Sequence, residues 1–382
     1  MKILIGARWE LINFMSIKII LKSYFLKRLG KHRIKKIQLT DSPKFLILMH
    51  QNIGDMIVCS PILRELKKAY PECNLQVIAS KTNQEIAITN PYIDVVHLYQ
   101  NKWNKLLPLL FKLRRQNFDV AVELEAKIVT RVVLMLRIIS PKFILSVSKR
   151  EGRYGIKPED YTPYDFYTDE KLNHQRDTCL DILRLLNIRC TKKNYDLFYL
   201  EKHKERALAF LENFESQEVI IGLNISGSSH EKKISDNDVD KIITGLYSLT
   251  KNIKIILLHK PESKQLIDKL ITYDKISYVF PSYPTESILD VAALVNSLDL
   301  LITPDTSLVH IACAYKKPLL AIYRKDNVAF EAWHPKSSNH HVIFSNDIDS
   351  LISIDTDQII AKSFDLISHY VDKKLKVVNE KK

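Results

Sequence analysis

From Pro43 onward, short apolar runs alternate with longer stretches of helical period, and the series occurs twice. In the first series the runs at 44–49, 75–79, 94–98, 119–124 and 142–147 read as strands. Between them, 55–70, 83–90, 102–117 and 127–139 read as helices. The runs are too short to be helices of their own, and they lack the polar alternation of a half-solvated sheet. Strand–helix repetition of this kind implies a parallel sheet covered by helices on both faces. A stretch at 148–172, with Pro158, Pro163 and the tyrosines 154, 161, 164 and 167, breaks the rhythm as a long loop.

Helices at 173–187 and 201–214 lead into the second series. Its strands are expected at 218–223, 253–258, 276–280, 299–303 and 318–323, with helices at 235–250, 261–271, 285–297 and 306–315. A last helix is expected over 356–371, packing back across the junction. The chain has 382 residues, which suits two domains at roughly 150 residues each. The expected division is a basic segment 1–42, a domain 43–200, a domain 201–355, and a C-terminal helix and tail 356–382. Both domains are expected to be α/β, with doubly wound parallel sheets. Such sheets bind ligands at the carboxyl ends of their strands, which places a shared site in the cleft between the domains.

Composition narrows the function classes. Hydrophobic residues make up 46% and charged residues 26%, so the chain is globular and not mainly disordered. The five cysteines are scattered without metal-ligand spacing, which argues against a zinc site or a disulfide scaffold and fits a reducing cytosol. No uncharged window is long enough to span a bilayer. Arg8, Glu10 and Lys18 interrupt the N-terminal apolar stretch, so it does not read as a signal peptide.

The net charge of +13 is concentrated. Between Leu11 and Thr40 there is no acid, while Lys18, Lys22, Lys27, Arg28, Lys31, Arg33, Lys35 and Lys36 are basic. Interleaved large apolar residues such as Ile19, Ile20, Leu21 and Tyr24 allow this segment to lie on an anionic membrane surface. It reads equally as a solvated basic helix covering the first domain. No nucleic-acid-binding fingerprint accompanies the charge, so nucleic acid is not an expected partner.

Three loops carry residues suited to chemistry, and each follows a strand and opens a helix. The first holds Gly54 and Asp55 in the run 50–56. A glycine there admits close backbone approach, and the carboxylate can deprotonate a hydroxyl or simply cap the helix. The second runs from Asn224 through Ser226, Gly227, Ser228, Ser229, Lys232 and Lys233. Its glycine, hydroxyls and lysine suit phosphate oxygens, although the spacing is not that of a P-loop. The third is Thr303-Pro304-Asp305-Thr306-Ser307-Leu308-Val309-His310. Free N–H groups at that helix start can accept a diphosphate, and Thr306 and His310 share one helix face. His310 alone also reads as a satisfied core histidine.

Taken together, the three loops resemble those of glycosyltransferase family 9, the bacterial lipopolysaccharide heptosyltransferases. The family's first motif is matched by Gly54-Asp55, Ser60-Pro61-Ile62-Leu63-Arg64 and Tyr70-Pro71. Phe118–Leu124 looks like its fourth strand, and Asp290–Leu301 like its helix-to-strand pattern. The nucleotide-side motif is matched by Ser226-Gly227-Ser228-Ser229 with Lys232, and the closing motif by Asp305-Thr306-Ser307-Leu308-Val309-His310-Ile311-Ala312. The resemblance covers about residues 45–323. Two departures stand out. Ser307 occupies the place of a glycine, and Ile234-Ser235 the place of a Trp-Pro pair.

The resemblance implies a GT-B-type fold, with an acceptor-side N-terminal and a donor-nucleotide-binding C-terminal Rossmann-like domain facing across a cleft. It implies inverting, metal-independent transfer of heptose from ADP-heptose to a lipopolysaccharide or lipooligosaccharide inner-core acceptor, with no cofactor. By position, Asp55 is the general base, with Gly54 and Gly227 at points of close backbone approach. Ser228, Ser229 and Lys232 hold the donor diphosphate, and Lys233 leaves the lysine open by one. Glu262 meets the nucleotide, Asp305 the sugar hydroxyls, Thr306 and Ser307 the phosphates, and His310 supports them. The expected location is cytoplasmic, peripheral on the inner face of the membrane. A non-catalytic sugar-nucleotide-binding protein on the same fold, or a relative using another donor or a protein acceptor, are the alternative readings.

Overall fold

The computed structural model describes residues 19–21, 23, 24, 26, 27, 36–149, 156, 157, 164–168, 173–227, 229–259 and 264–379. They form two compact units. The first contains the described residues up to Asn52 together with Cys59–Lys193. The second contains Ile53–Val58 and the described residues from Asn194 onward.

In the first unit, β1 (Lys44–Met49) leads to α1 (Ile53–Cys59) and α2 (Pro61–Ala69), although α1 up to Val58 packs with the second unit. Then follow β2 (Asn74–Ala79), α3 (Gln84–Thr89), β3 (Val95–Leu98), α4 (Trp103–Arg114), β4 (Val120–Glu123), α5 (Thr130–Ile139), β5 (Phe143–Ser146), β6 (Phe166–Tyr167), α6 (Gln175–Leu180) and α7 (Ile182–Leu185). The sheet is parallel, in the order β3-β2-β1-β4-β5-β6. Ile47 stands between Val77 and Val122, which fixes the register at the centre. Phe45 to Met49 are all buried, because helices cover both faces; that is why the run is apolar throughout.

The second unit repeats this plan. Its elements are α8 (Glu201–Leu211), β7 (Val219–Asn224), α9 (Asp236–Leu249), β8 (Ile253–Leu258), α10 (Lys264–Leu270), β9 (Val279–Pro281), α11 (Ile288–Ser297), β10 (Leu300–Pro304), α12 (Ser307–Ala314), β11 (Leu319–Tyr323), α13 (Asn327–Trp333), β12 (His340–Phe344) and α14 (Thr356–Asn379). The order β12-β11-β10-β7-β8-β9 is that of the first sheet, counted within the unit. Both units are therefore doubly wound α/β folds of Rossmann type, as expected from the sequence. Ile359 and Ile367 of α14 join the apolar core formed by α9 and the sheet, so this helix belongs to the second unit's interior.

Several details differ from the expectations. The helix expected over 55–70 breaks at Ser60, because Pro61 has no N–H to continue it and opens α2 instead. The helix expected over 173–187 is likewise two, α6 and α7. The strand expected at 276–280 forms at Val279–Pro281, and the last helix runs on to Asn379. The strands β6 and β12 and the helix α13 had no clear apolar signature. The cysteines are not all unpaired: Cys59 and Cys179 form a disulfide within the first unit, with Cα atoms 5.8 Å apart. A separation of 120 residues hides such a pair from any spacing rule.

Most of the basic segment 1–42 lies outside the described residues, as does most of the loop 148–172. Among the described N-terminal residues, Leu26 is buried in the first unit's core, while Ile19, Ile20, Leu21 and Tyr24 are exposed. No described helix is long and apolar enough to cross a membrane.

Candidate active site

In the second unit β7 and β10 are neighbours, with Ile302 beside Leu223, and the sheet is wound outward from them in both directions. This is the switch point, where a doubly wound sheet leaves a crevice at its carboxyl edge. The second and third loops singled out from the sequence leave these two strands. One amide ties their starts together. Asn224 Nδ2 donates to Thr303 Oγ1 at 2.9 Å and to Thr306 Oγ1 at 3.4 Å, and its Oδ1 accepts from Ser226 N at 3.0 Å.

Thr306, in extended conformation, is the N-cap of α12, its hydroxyl accepting from Leu308 N at 3.3 Å. Asp305 precedes it and forms an ion pair with Lys232 Nζ. Lys232 reaches this position from a short 3₁₀ turn, His230–Lys232, where its N–H donates to Ser229 O at 3.2 Å. Gly227 makes that turn possible, since a Cβ there would lie 2.5 Å from the Lys232 carbonyl carbon. Lys233 is directed elsewhere, donating to Asp236 Oδ1 at 2.9 Å at the start of α9. Of the two lysines left open by the sequence, Lys232 is thus the one beside α12. Ser229 is exposed on the same loop, whereas Ser228 and Glu262 lie outside the described residues.

His310 sits one turn into α12 and is buried at 4% exposure. Its ring lies between Tyr195 and Trp333, with centroids at 6.1 and 5.9 Å, and its Nδ1 has no hydrogen-bond partner. Burial, helped by the Lys232 charge and opposed by Asp305, lowers its pKa to about 4, so the ring is neutral near pH 7. The Gly54-Asp55 segment packs with this same unit. A Cβ at Gly54 would stand 3.0 Å from His310 Cδ2 and 4.0 Å from the Ser307 Cα. The absence of a side chain lets the start of α1 lie close to α12. Asp55 follows in the first turn of α1, half-buried.

The structure therefore brings together Gly54, Asp55, Gly227, Ser229, Lys232, Asp305, Thr306, Ser307 and His310 in one unit. A lysine ammonium and the N–H groups at a helix start favour an anion at that point, and a carboxylate beside them can accept hydrogen bonds from hydroxyls. Sequence reasoning missed Asn224 and Thr303 as linking residues, and Tyr195 and Trp333 as the walls around His310. A buried amide and hydroxyl at the carboxyl ends of two apolar strands were the available signal for the first pair.

Residues 191–361 match the family model described as glycosyltransferase family 9 (heptosyltransferase). Over 84% of its length the chain is 25% identical to an Escherichia coli (strain K12) protein provisionally named lipopolysaccharide heptosyltransferase 4, covering 86% of it. It is 20% identical to the lipopolysaccharide core heptosyltransferase OpsX of Haemophilus influenzae, covering 75% of this chain and 81% of that one. In fold it resembles the crystal structure of a family 9 glycosyltransferase from Veillonella parvula DSM 2008. That match has a TM-score of 0.72 and 18% identity over 88% of this chain and 100% of the other. The E. coli heptosyltransferase WaaC with ADP-2-deoxy-2-fluoro heptose gives a TM-score of 0.64 at 16% identity, over 83% and 97% of the two chains. Residues 191–361 thus match glycosyltransferase family 9, and over most of its length the chain is similar to proteins named as heptosyltransferases.

Proposed function

We propose that the enzyme transfers a heptose from ADP-heptose to an inner-core sugar of a lipopolysaccharide or lipooligosaccharide, by single displacement with inversion and without a metal ion. In this reading the acceptor hydroxyl gives its proton to Asp55 as its oxygen bonds to the anomeric carbon. The bond from that carbon to the diphosphate breaks on the opposite face, and ADP leaves. One base is enough for such a step, because no covalent intermediate forms. Charge growing on the departing diphosphate meets Lys232, the N–H groups at the start of α12 and the hydroxyls of Ser228, Ser229 and Ser307. Asp305 takes sugar hydroxyls, Glu262 the nucleotide, and His310, neutral and buried, supports the helix start.

The observation that carries this reading is the Lys232–Asp305 pair at the start of α12, with Asn224 fastening the two loops together. The donor and acceptor are those suggested by relatives named as lipopolysaccharide heptosyltransferases and by a solved structure holding an ADP-heptose analogue. A site on the inner face of the cytoplasmic membrane fits a lipid-linked acceptor and the acid-free basic segment between Leu11 and Thr40.

Steady-state kinetics with varied donor tests the assignment. Lys232→Ala should lower donor efficiency by roughly 10- to 150-fold, the worth of one charge-assisted contact of about 1.5–3 kcal/mol. Lys233→Ala should leave it nearly unchanged. The reverse pattern, or no loss in either variant, contradicts the placement of the diphosphate.

A further inference from the structure

Between Asp94 and Asp119 the chain has no acid, while Lys102, Lys105, Lys112, Arg114 and Arg115 are basic. This stretch builds α4 of the first unit. One side of the helix is core: Leu106, Leu110 and Leu113 are buried, at the helical spacing of a single stripe. The opposite side turns outward, with Asn104, Pro108, Phe111 and Arg115 exposed, Phe111 at 53%. Lys105 and Lys112, also exposed, run along one flank of it. Among the described residues none of the five cations pairs with a carboxylate, and Arg114 Nη1 donates instead to the Ile138 carbonyl of α5 at 2.9 Å. At the start of the helix stands Trp103, 39% exposed. Its ring is held by the Arg131 guanidinium, 4.8 Å from its centroid and 5.4 Å from that of Tyr99.

A helix that covers a core toward water ordinarily mixes charges of both signs. An acid-free basic face with apolar and aromatic residues at its pole suits anionic headgroups lying over hydrocarbon. We propose that this face of α4 docks on an anionic phospholipid bilayer. Lys105, Lys112 and Arg115 meet the headgroups, Pro108 and Phe111 enter the acyl boundary, and Trp103 sits at headgroup level. Leu26 is buried in the same apolar cluster as Leu106, Leu110 and Leu113, while its helical neighbours Ile20 and Leu21 are exposed. The N-terminal helical residues and α4 therefore share one side of the unit, and the basic, apolar-studded surface includes both. Because α4 follows β3, its start lies at the carboxyl edge of the first sheet, the edge at which doubly wound sheets bind ligands. Docking through α4 holds that edge close to the bilayer from which a lipid-linked acceptor is presented.

The inference rests on the lipid-linked acceptor proposed above, but vesicle binding is read without turnover, so the two can fail separately. The full chain is sedimented with vesicles of phosphatidylcholine alone and of phosphatidylcholine mixed equally with phosphatidylglycerol. The wild type should bind the anionic vesicles about 10-fold or more tightly than the neutral ones. Lys105→Gln combined with Lys112→Gln should lower that affinity about 10-fold, and Phe111→Ser about 5-fold, with the N-terminal segment intact and melting temperatures unchanged. Phe111→Trp, which keeps an interfacial ring, should bind as the wild type does, and its added emission should shift to the blue on anionic vesicles only. Unchanged affinity in either the lysine pair or Phe111→Ser would overturn the proposal and leave lipid binding to the N-terminal segment. Equal binding of the wild type to both kinds of vesicle, or to neither, would overturn it as well. A wild-type dimer in lipid-free solution that Phe111→Ser dissociates would assign the face to a second copy of the chain, and the proposal falls.

Discussion

Two histidines, His310 buried and His50 half-buried, set how the protein responds to acid. His310 and His50 both have pKa values lowered to about 4, in each case chiefly by burial. An unfolded histidine titrates near 6.5, so as pH falls the unfolded chain takes up these protons first. The stability they contribute is present above pH 6.5 and is lost as pH drops toward 4, on the order of 3 kcal/mol for each ring. Thermal melts between pH 7.5 and 4.5 should show this decline, and His310→Gln should flatten it. An unchanged slope in that variant would mean that the ring is charged or solvated in the fold. Gly54 is the other single residue with a specific role, because a methyl group there presses on His310. Gly54→Ala should displace Asp55 and lower kcat by about 10-fold or more, with ADP affinity kept. A variant with normal kcat would show that α1 can adjust without moving Asp55.

Helices in the second unit are held by a charged clamp as well as by apolar packing. Asp290 is fully buried, completes a capping box with Ser287 at the start of α11, and receives His203 Nδ1 at 2.8 Å and Arg206 Nη1 at 3.2 Å from α8. Asp290→Ala removes the carboxylate from His203 and leaves Arg206 only Glu286 and the Pro284 carbonyl, and should cost about 3–5 kcal/mol, read as a large fall in denaturant midpoint. A loss under 1 kcal/mol would make the clamp incidental. The clamp was not visible in the sequence, because Asp290 reads there only as the first polar residue of an apolar helix. The strands at the centres of both sheets were visible, since burial on both faces demands unbroken runs such as Lys44–Met49 and Ile253–Leu258. β12, His340–Phe344, escaped because it is half exposed and begins with two histidines. The candidate loops were legible for the same reason as the central strands: each begins where an apolar run stops. The links across them were not, since Asn224 meets Thr303 only once β7 and β10 are neighbours. The cation–aromatic cluster at Arg131 likewise draws on three separate connections, none of which carries a motif.

The proposed association with a lipid surface is a matter of the chain's net charge and its N-terminal segment. The net charge is +13, and the described N-terminal helical residues expose Ile20 and Leu21 at 64% and 61% while Leu26 anchors in the first unit's core. Because Leu26 is a core residue, removing the whole segment would damage the fold, and point changes are the cleaner probe. Leu21→Asp should reduce co-sedimentation with anionic vesicles several-fold at unchanged melting temperature, and high salt should weaken the wild-type association, since charge attraction is screened within about 8–10 Å at ordinary salt. Equal sedimentation of both proteins would make this helix a covering of the first unit only. The central claim is that this chain joins a heptose to a lipopolysaccharide core with Asp55 as the base. The most direct measurement is mass spectrometry of a purified core acceptor incubated with ADP-heptose and either the wild-type enzyme or Asp55→Asn. The account predicts gain of one heptosyl unit with wild type, at a rate about 10²–10⁴-fold higher than with the variant. An unmodified acceptor, or equal transfer by both proteins, would contradict it.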